Sequence, residues 1–248
     1  ISIDGNKESH DSLRKFANGQ GSYDIVRKNL SKFIHGYGAE RIIIQAVMTP
    51  QNKDMFNIAK EIFSLGVSKA GIAMSNVPCD NISFYFTKED CFFVQHKLLE
   101  RAEELIEEIV KDSYADNGKI NSHKTLLYFL KLRPMIEHVH TGKLLKKHCN
   151  AGELGICVTP SGDIYPCSIV QGLERCKIGN VLEKTFERSK VFFLRALNTY
   201  RTKCDICWCR HMCSRGCPAH QVRFSKDERE PYEAYCNLVK SSSEVVIY

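Results

Sequence analysis

The apolar residues of the first 110 positions follow two alternating patterns. Ile1 to Ile3 is a short apolar start that breaks at Asp4-Gly5. After Ser22, the residues Ile25, Val26, Leu30, Phe33 and Ile34 recur at helical spacing, predicting a helix capped by Ser22 and ended by Gly36 and Gly38. Residues 42–47 are rich in β-branched side chains and short enough for a buried strand. Thr49-Pro50-Gln51-Asn52 turns the chain. Phe56, Ile58, Ala59, Ile62 and Phe63 then mark a second helix that stops near Gly66. Residues 67–74 read as another strand. The order is βαβαβ, which predicts parallel pairing with right-handed crossovers and an α/β fold.

Two helices follow with no strand between them. Thr87-Lys88-Glu89-Asp90 offers a cap with an acid three residues on, opening a helix to about Lys111. Ser122 is placed to cap another that reaches about Pro134, with residues 115–118 as the loop between. From Leu144 the texture changes to short elements and loops carrying Gly and Cys. Residues 154–165 read as a hairpin turning at Ser161-Gly162-Asp163, and residues 181–196 as a helix. Three regions are expected: 1–110, a helical connector over 111–145, and a cysteine-rich domain over 146–248.

Composition narrows the class. Of the 248 residues, 43% are hydrophobic and 26% charged, as in ordinary globular proteins, and no apolar run reaches the length of a membrane span. The chain opens on ISIDG, with no signal peptide and no initiator Met, which suggests a fragment or a processed chain. The formal charge of +6 counts every cysteine as neutral. The Lys and Arg residues are spread along the chain, so the charge gives no reason to expect nucleic acid.

The cysteines carry the strongest signal. Ten of the 12 lie at or beyond residue 149. Cys149 is followed by Gly162-x4-Cys167, then Cys204-x2-Cys207-x5-Cys213-x3-Cys217, and Cys236 closes the series. Thiolates at such spacings suit soft metals, since two or three intervening residues bring two sulfurs to one centre. A disulfide framework suits short secreted chains without a core; here a large α/β region precedes the cysteines. Metal ligation in a reducing, cytoplasmic setting is the better reading.

This pattern closely resembles the SPASM extension of radical S-adenosylmethionine (SAM) enzymes of the peptide-modifying maturase type. Gly162-Asp163-Ile164-Tyr165-Pro166-Cys167 and Ile178-Gly179-Asn180-Val181 sit where that family places similar segments. Ser2-Ile3-Asp4-Gly5, His10-Asp11-x2-Arg14 and Gly21-Ser22-Tyr23-Asp24 follow the order seen after the fourth strand of its barrel. The resemblance implies a partial β/α barrel followed by a SPASM domain with two auxiliary 4Fe–4S clusters. Carried over by position, Cys149, Cys167 and Cys217 would ligate the first, with Cys157 the best candidate for a fourth ligand or an iron left open for substrate. Cys204, Cys207, Cys213 and Cys236 would ligate the second. The interleaving of Cys213 and Cys217 makes the two clusters neighbours.

One departure matters. The family's Cys-x3-Cys-x2-Cys motif, which binds the SAM-cleaving cluster, is absent, as is its Gly-Gly-Glu segment. About three parallel strands cannot close a barrel, which usually needs about eight. The expectation is a chain that starts at the fourth strand and does not cleave SAM alone. SAM and a third 4Fe–4S cluster are expected only in the complete enzyme.

The resemblance places Ser2, Asp4 and Arg14 at the SAM edge. Their plainer readings are a turn for Ser2 and Asp4 and a surface ion pair with Asp11 for Arg14. Thr49 and Asn52 follow a strand and could line the same edge, although Asn52 also suits a helix cap. His138, His140 and His148 lie near Cys149, but their spacing suits a solvated helix end better than a metal. Cys79 and Cys91 read as core or surface residues. Cys176 is either free or near the first cluster, and Cys209 is left unligated. Tyr165 and Trp208 are expected to pack around the clusters.

No catalytic residue stands out. The leading expectation is a peptide or protein substrate modified through hydrogen abstraction, with the auxiliary clusters moving electrons or binding substrate. A reductant such as a flavodoxin or ferredoxin would be a partner; nucleic acid and membrane would not. The alternatives are a non-enzymatic iron–sulfur carrier and a structural zinc module.

Overall fold

The computed structural model describes residues 1–75, 83–101, 104, 107, 135, 138–139, 141–142, 151–153, 155–191, 202–213, 215–224 and 230–247. Cys79, Ser122, His140, His148 and Cys149 lie outside them, as does the predicted helix over 122–134.

The first layer is parallel, as the alternation predicts. Strand β1 (Ile44–Met48) pairs with β2 (Ala70–Met74) in register from Ile44 against Ala70 to Met48 against Met74. The chain start lies on the other side of β1: Ser2 forms a parallel bridge with Gln45, and the Ile3 amide donates to the Gln45 carbonyl at 3.0 Å. Helix α1 (Lys7–Leu13) is capped by Asn6, and α2 (Tyr23–Tyr37) follows. Helix α3 (Met55–Ser64) connects β1 to β2, and Gly66 takes φ +85 just beyond it. Ile3, Ile44, Met48, Met55 and Ile62 are fully buried between these elements. Each removes enough apolar surface from water to stabilise the fold by about 1.5–3 kcal/mol.

Several local expectations need correction. Ser22 precedes α2 but its hydroxyl makes no cap; it donates to the Arg14 carbonyl at 2.8 Å, and the Asp11 carboxylate takes the Tyr23 amide instead. Gly36 lies inside α2, and Gly38 alone ends it. The cap of α3 is Asp54, which accepts from Phe56 and Asn57, whereas Asn52 closes a capping box with Thr49 across the short 3-10 turn Pro50–Asn52. Helix α4 (Lys88–Glu100) has the predicted capping box, with Thr87 and Asp90 bonded reciprocally. It ends at Glu100, where Arg101 is the C-cap, and so stops short of the predicted Lys111; beyond Arg101 only Glu104 and Glu107 of that stretch are described.

The cysteine-rich part is built on a small antiparallel sheet of order β3-β4-β5-β6. The predicted hairpin supplies β3 (Cys157–Val158) and β4 (Asp163–Tyr165). Strands β5 (Gly179–Asn180) and β6 (Thr185–Phe186) extend it. The helix predicted over 181–196 is therefore wrong in its first part. The Asn180 side chain accepts from the Leu182 and Glu183 amides, and Lys184 takes φ 55, so the chain turns back as β6. Only the short helix α5 (Arg188–Val191) follows among the described residues of that stretch.

Among the described residues four further helices follow: α6 (Thr202–Asp205), α7 (Arg210–Cys213), α8 (Pro218–Phe224) and α9 (Glu233–Ile247). Helix α9 packs along α4. Ala234 and Leu238 share the first core with Cys91, Val94 and Leu98. Among the described residues, no helix is long and apolar enough to cross a membrane.

Candidate metal centre

The short helices at the end of the chain gather thiols. Cys204 lies in α6, Cys213 ends α7, and Cys207 and Cys209 lie in the turn between. Cys236 comes from the first turn of α9. These five cysteines line one cavity of about 30 Å³, with Arg210, Arg215 and Lys240 at its wall. Cys209 was left out of the expected ligand set, yet it faces the same space. Its sulfur lies 3.0 Å from the Ser243 hydroxyl, and burial pushes its thiol pKa up.

A second gathering lies beside the small sheet. Cys157, Cys167 and Cys217 pack around a core of Tyr165, Val170, Cys176, Ala219 and Val222. Cys176 is buried there, beside the first expected ligand group. Cys157 at the start of β3 stands opposite Tyr165 in the strand register. Its sulfur lies 3.6 Å from the Gln171 amide oxygen. The Cys167 sulfur accepts from the Ile169 amide at 3.4 Å.

The Gly162-x4-Cys167 spacing has a local cause. Gly162 takes φ +85 in the β3–β4 turn, and a Cβ there would meet the Asn180 side-chain oxygen at 2.9 Å. Asn180 in turn donates to the Ser161 carbonyl at 3.1 Å and to Asp163 at 2.9 Å. Hydrogen bonds from Lys177, Asn180 and Ser161 hold the Asp163 carboxyl down to about 2. A glycine is thus needed for the turn to close against β5, and that closure fixes the strand leading into Cys167.

Tyr235 stands between the two gatherings. Burial, and then the charges of Cys213, Cys217, Cys236 and Cys209, push its hydroxyl pKa up. Cys217, Cys236, His220 and Tyr235 line a smaller cavity of about 10 Å³. Tyr165 packs as expected, but Trp208 is 51% exposed and corrects the expectation that it packs around a centre.

The donor chemistry of both gatherings suits iron–sulfur ligation, since thiolates are the ligands of 4Fe–4S clusters. Among the described residues, no three Cys, His, Asp or Glu side chains converge as ligands of a metal ion. Cys204, Cys207, Cys209, Cys213 and Cys236 place their side chains around a space instead.

At the strand edge, two of the expected SAM residues, Asp4 and Arg14, engage each other, while Ser2 bridges to Gln45. Asp4 is 1% exposed. Arg14 donates to its carboxylate through Nε and, at 3.2 Å, through Nη2, so the partner of Arg14 is Asp4 and not Asp11. The same carboxylate accepts from the Val47 amide at 2.8 Å, and Asn52 donates to the Asp4 carbonyl at 3.3 Å. Thr49, Gln51 and Asn52 share an open pocket of about 450 Å³ with Glu8, Ser9 and Ser12 at the carboxyl end of β1.

The chain matches no protein-family profile. It is 25% identical over 225 residues to the cysteine-type anaerobic sulfatase-maturating enzyme of Clostridium novyi (strain NT). That alignment covers 88% of this chain and 56% of the relative. Its fold matches native anSMEcpe with bound AdoMet at TM-score 0.68 and 16% identity, over 100% of this chain and 65% of that one. The match to native anSMEcpe with bound AdoMet and Kp18Cys peptide has TM-score 0.64 and 16% identity, covering 100% and 66%.

The chain resembles a radical SAM maturase in both sequence and fold. The likeness read from the cysteine spacing thus has independent support. The mixed helix and sheet architecture is that of the anSMEcpe chain. Among the described residues the parallel sheet has two strands and one flanking bridge. The chain spans little more than half the length of its curated relative.

Proposed function

We propose that this chain supplies the auxiliary-cluster region of a radical SAM enzyme that modifies a peptide or protein substrate. The carrying observation is the cavity lined by Cys204, Cys207, Cys213 and Cys236, the four residues that the SPASM resemblance implies for one cluster. Cys157, Cys167 and Cys217 around Tyr165 support a site beside the small sheet, to which the resemblance adds Cys149. On this reading residues 1–110 form part of a β/α barrel, 111–145 a connector and 146–248 the SPASM domain. Peptide substrate is inferred from the relatives, one of which was solved with a bound peptide.

When bound, such clusters supply one-electron transfer or an iron site for substrate. The protein's own part is positional. Cys204 and Cys213 on short helices, Cys207 in the turn between them and Cys236 on α9 are held at one cavity. Asp4, paired with Arg14, stiffens the strand edge where Ser2 would meet SAM.

The test is metal analysis of anaerobically prepared protein. Two clusters per chain are expected, with about half the iron lost in Cys213→Ala and about half in Cys167→Ala. No 5′-deoxyadenosine should form from SAM and dithionite, because the Cys-x3-Cys-x2-Cys motif is absent from the chain. Zinc without inorganic sulfide, or iron unchanged in both variants, overturns the reading.

A further inference from the structure

Helix α9 presents a particular row of side chains to the cavity lined by Cys204, Cys207, Cys209 and Cys213. Cys236 and Lys240 are four residues apart, one turn of helix, and both line it. Ser243 follows on the same side and touches Cys209. Three cations stand at the cavity wall, and they are not equivalent. Arg215 is bound in an ion pair with Asp205. Arg210 donates to the Asp205 carbonyl and to His211. Lys240 is half-buried and has no carboxylate partner among the described residues, while its charge acts on the Cys209 thiol. The facing acid is Glu244, which accepts from Gln95.

We infer that Lys240 is a positioning residue for charge: its ammonium sets the reduction potential of a cluster held by Cys204, Cys207, Cys213 and Cys236. This inference rests on the proposed function. Four thiolates around a 4Fe–4S core carry roughly −2, and one electron from an external one-electron donor makes that roughly −3. No bond is made or broken and no proton is required. A fixed positive charge lowers the free energy of the more negative state further, so it favours the reduced cluster. Half-burial strengthens the effect by limiting screening by water and salt. The covalent attachment of Cys236 and Lys240 to one helix turn keeps the charge near the site.

The experiment is a redox titration of the reconstituted protein followed by electron paramagnetic resonance. Lys240→Met keeps the stem and removes the charge; Lys240→Arg keeps the charge. With Lys240→Met, one of the two midpoint potentials should move down, cutting the reduced-to-oxidised ratio at a fixed potential several-fold. A tenfold cut would be about 59 mV for one electron. Lys240→Glu should move it further, and Lys240→Arg should restore it. Equal shifts in the Met and Arg variants, no shift with iron content intact, or loss of iron from both variants would each overturn the assignment. Wild-type protein lacking iron and sulfide fails the proposed function itself, whereas two clusters indifferent to residue 240 fail this inference alone.

Discussion

His10 is buried within the N-terminal layer and held by two named contacts. The Asp4 amide donates to its Nδ1 at 3.4 Å, and its Nε2 lies 2.9 Å from the Ser22 hydroxyl. Because Ser22 passes its own proton to the Arg14 carbonyl, Nε2–H is the donor and the ring is neutral. Burial lowers its pKa from 6.5; Arg14 adds to that shift and Asp4 opposes it. A neutral ring in the fold and an ordinary one in the unfolded chain give a definite sign. The unfolded chain binds more protons below pH 6.5, so the contribution of His10 is full above that value and is lost as pH falls through the folded pKa. The stability gap between wild type and His10→Asn, followed by urea unfolding, should be widest above about pH 6.5 and narrow below it. A gap independent of pH would show that the ring does not titrate as described. None of this was legible in the sequence. His10 was visible only as part of a resemblance, because a histidine's burial depends on contacts from residues distant along the chain. That Cys204, Cys207 and Cys213 share one cavity was legible because short loops separate them. Cys209 was missed as a cavity residue because spacing says nothing of a thiol held by Ser243, 34 residues on.

Among the elements, those whose signals were local came through. Helix α4 announced itself by Thr87 and Asp90, and β1 and β2 by their apolar runs. Residues 181–196 misled because apolar spacing suggested a helix while the decisive signal was one side chain. Asn180 satisfies the amides of Leu182 and Glu183 and favours a turn. Helix α9 received no assignment from sequence, although it is the element that joins the two halves. Leu238 on it is fully buried against the first core, on the helix that also carries Cys236 and Lys240. Leu238→Ala should cost about 2–5 kcal/mol in unfolding free energy by opening a cavity against α4. It should also lower iron retention at the site of Cys204, Cys207, Cys213 and Cys236 when the protein is challenged with chelator. Lost stability with unchanged retention would mean that the wall formed by α9 does not depend on its packing.

For the molecule as a whole, this arrangement joins metal binding to the stability of a core that contains no expected ligand. Helix α9 gives Cys236 to the thiol cavity and Ala234 and Leu238 to the core with Val94 and Leu98 of α4. A centre that binds the folded chain and not the unfolded one adds its binding free energy to folding, and a shared helix spreads that gain beyond the ligands. Removing the clusters with chelator and oxidant should therefore do more than loosen residues 202–224. The amides of Val94 and Leu98, far along the chain from any cysteine of the series, should lose hydrogen-exchange protection. Calorimetry of the loaded protein should show one transition spanning both halves, shifted to lower temperature after stripping. Two separable transitions, with α4 protection unchanged on stripping, would mean that the chain is two independent units touching along α9. That outcome would leave each thiol site intact, but remove any path by which its occupancy could be felt at the strand edge of Asp4 and Arg14.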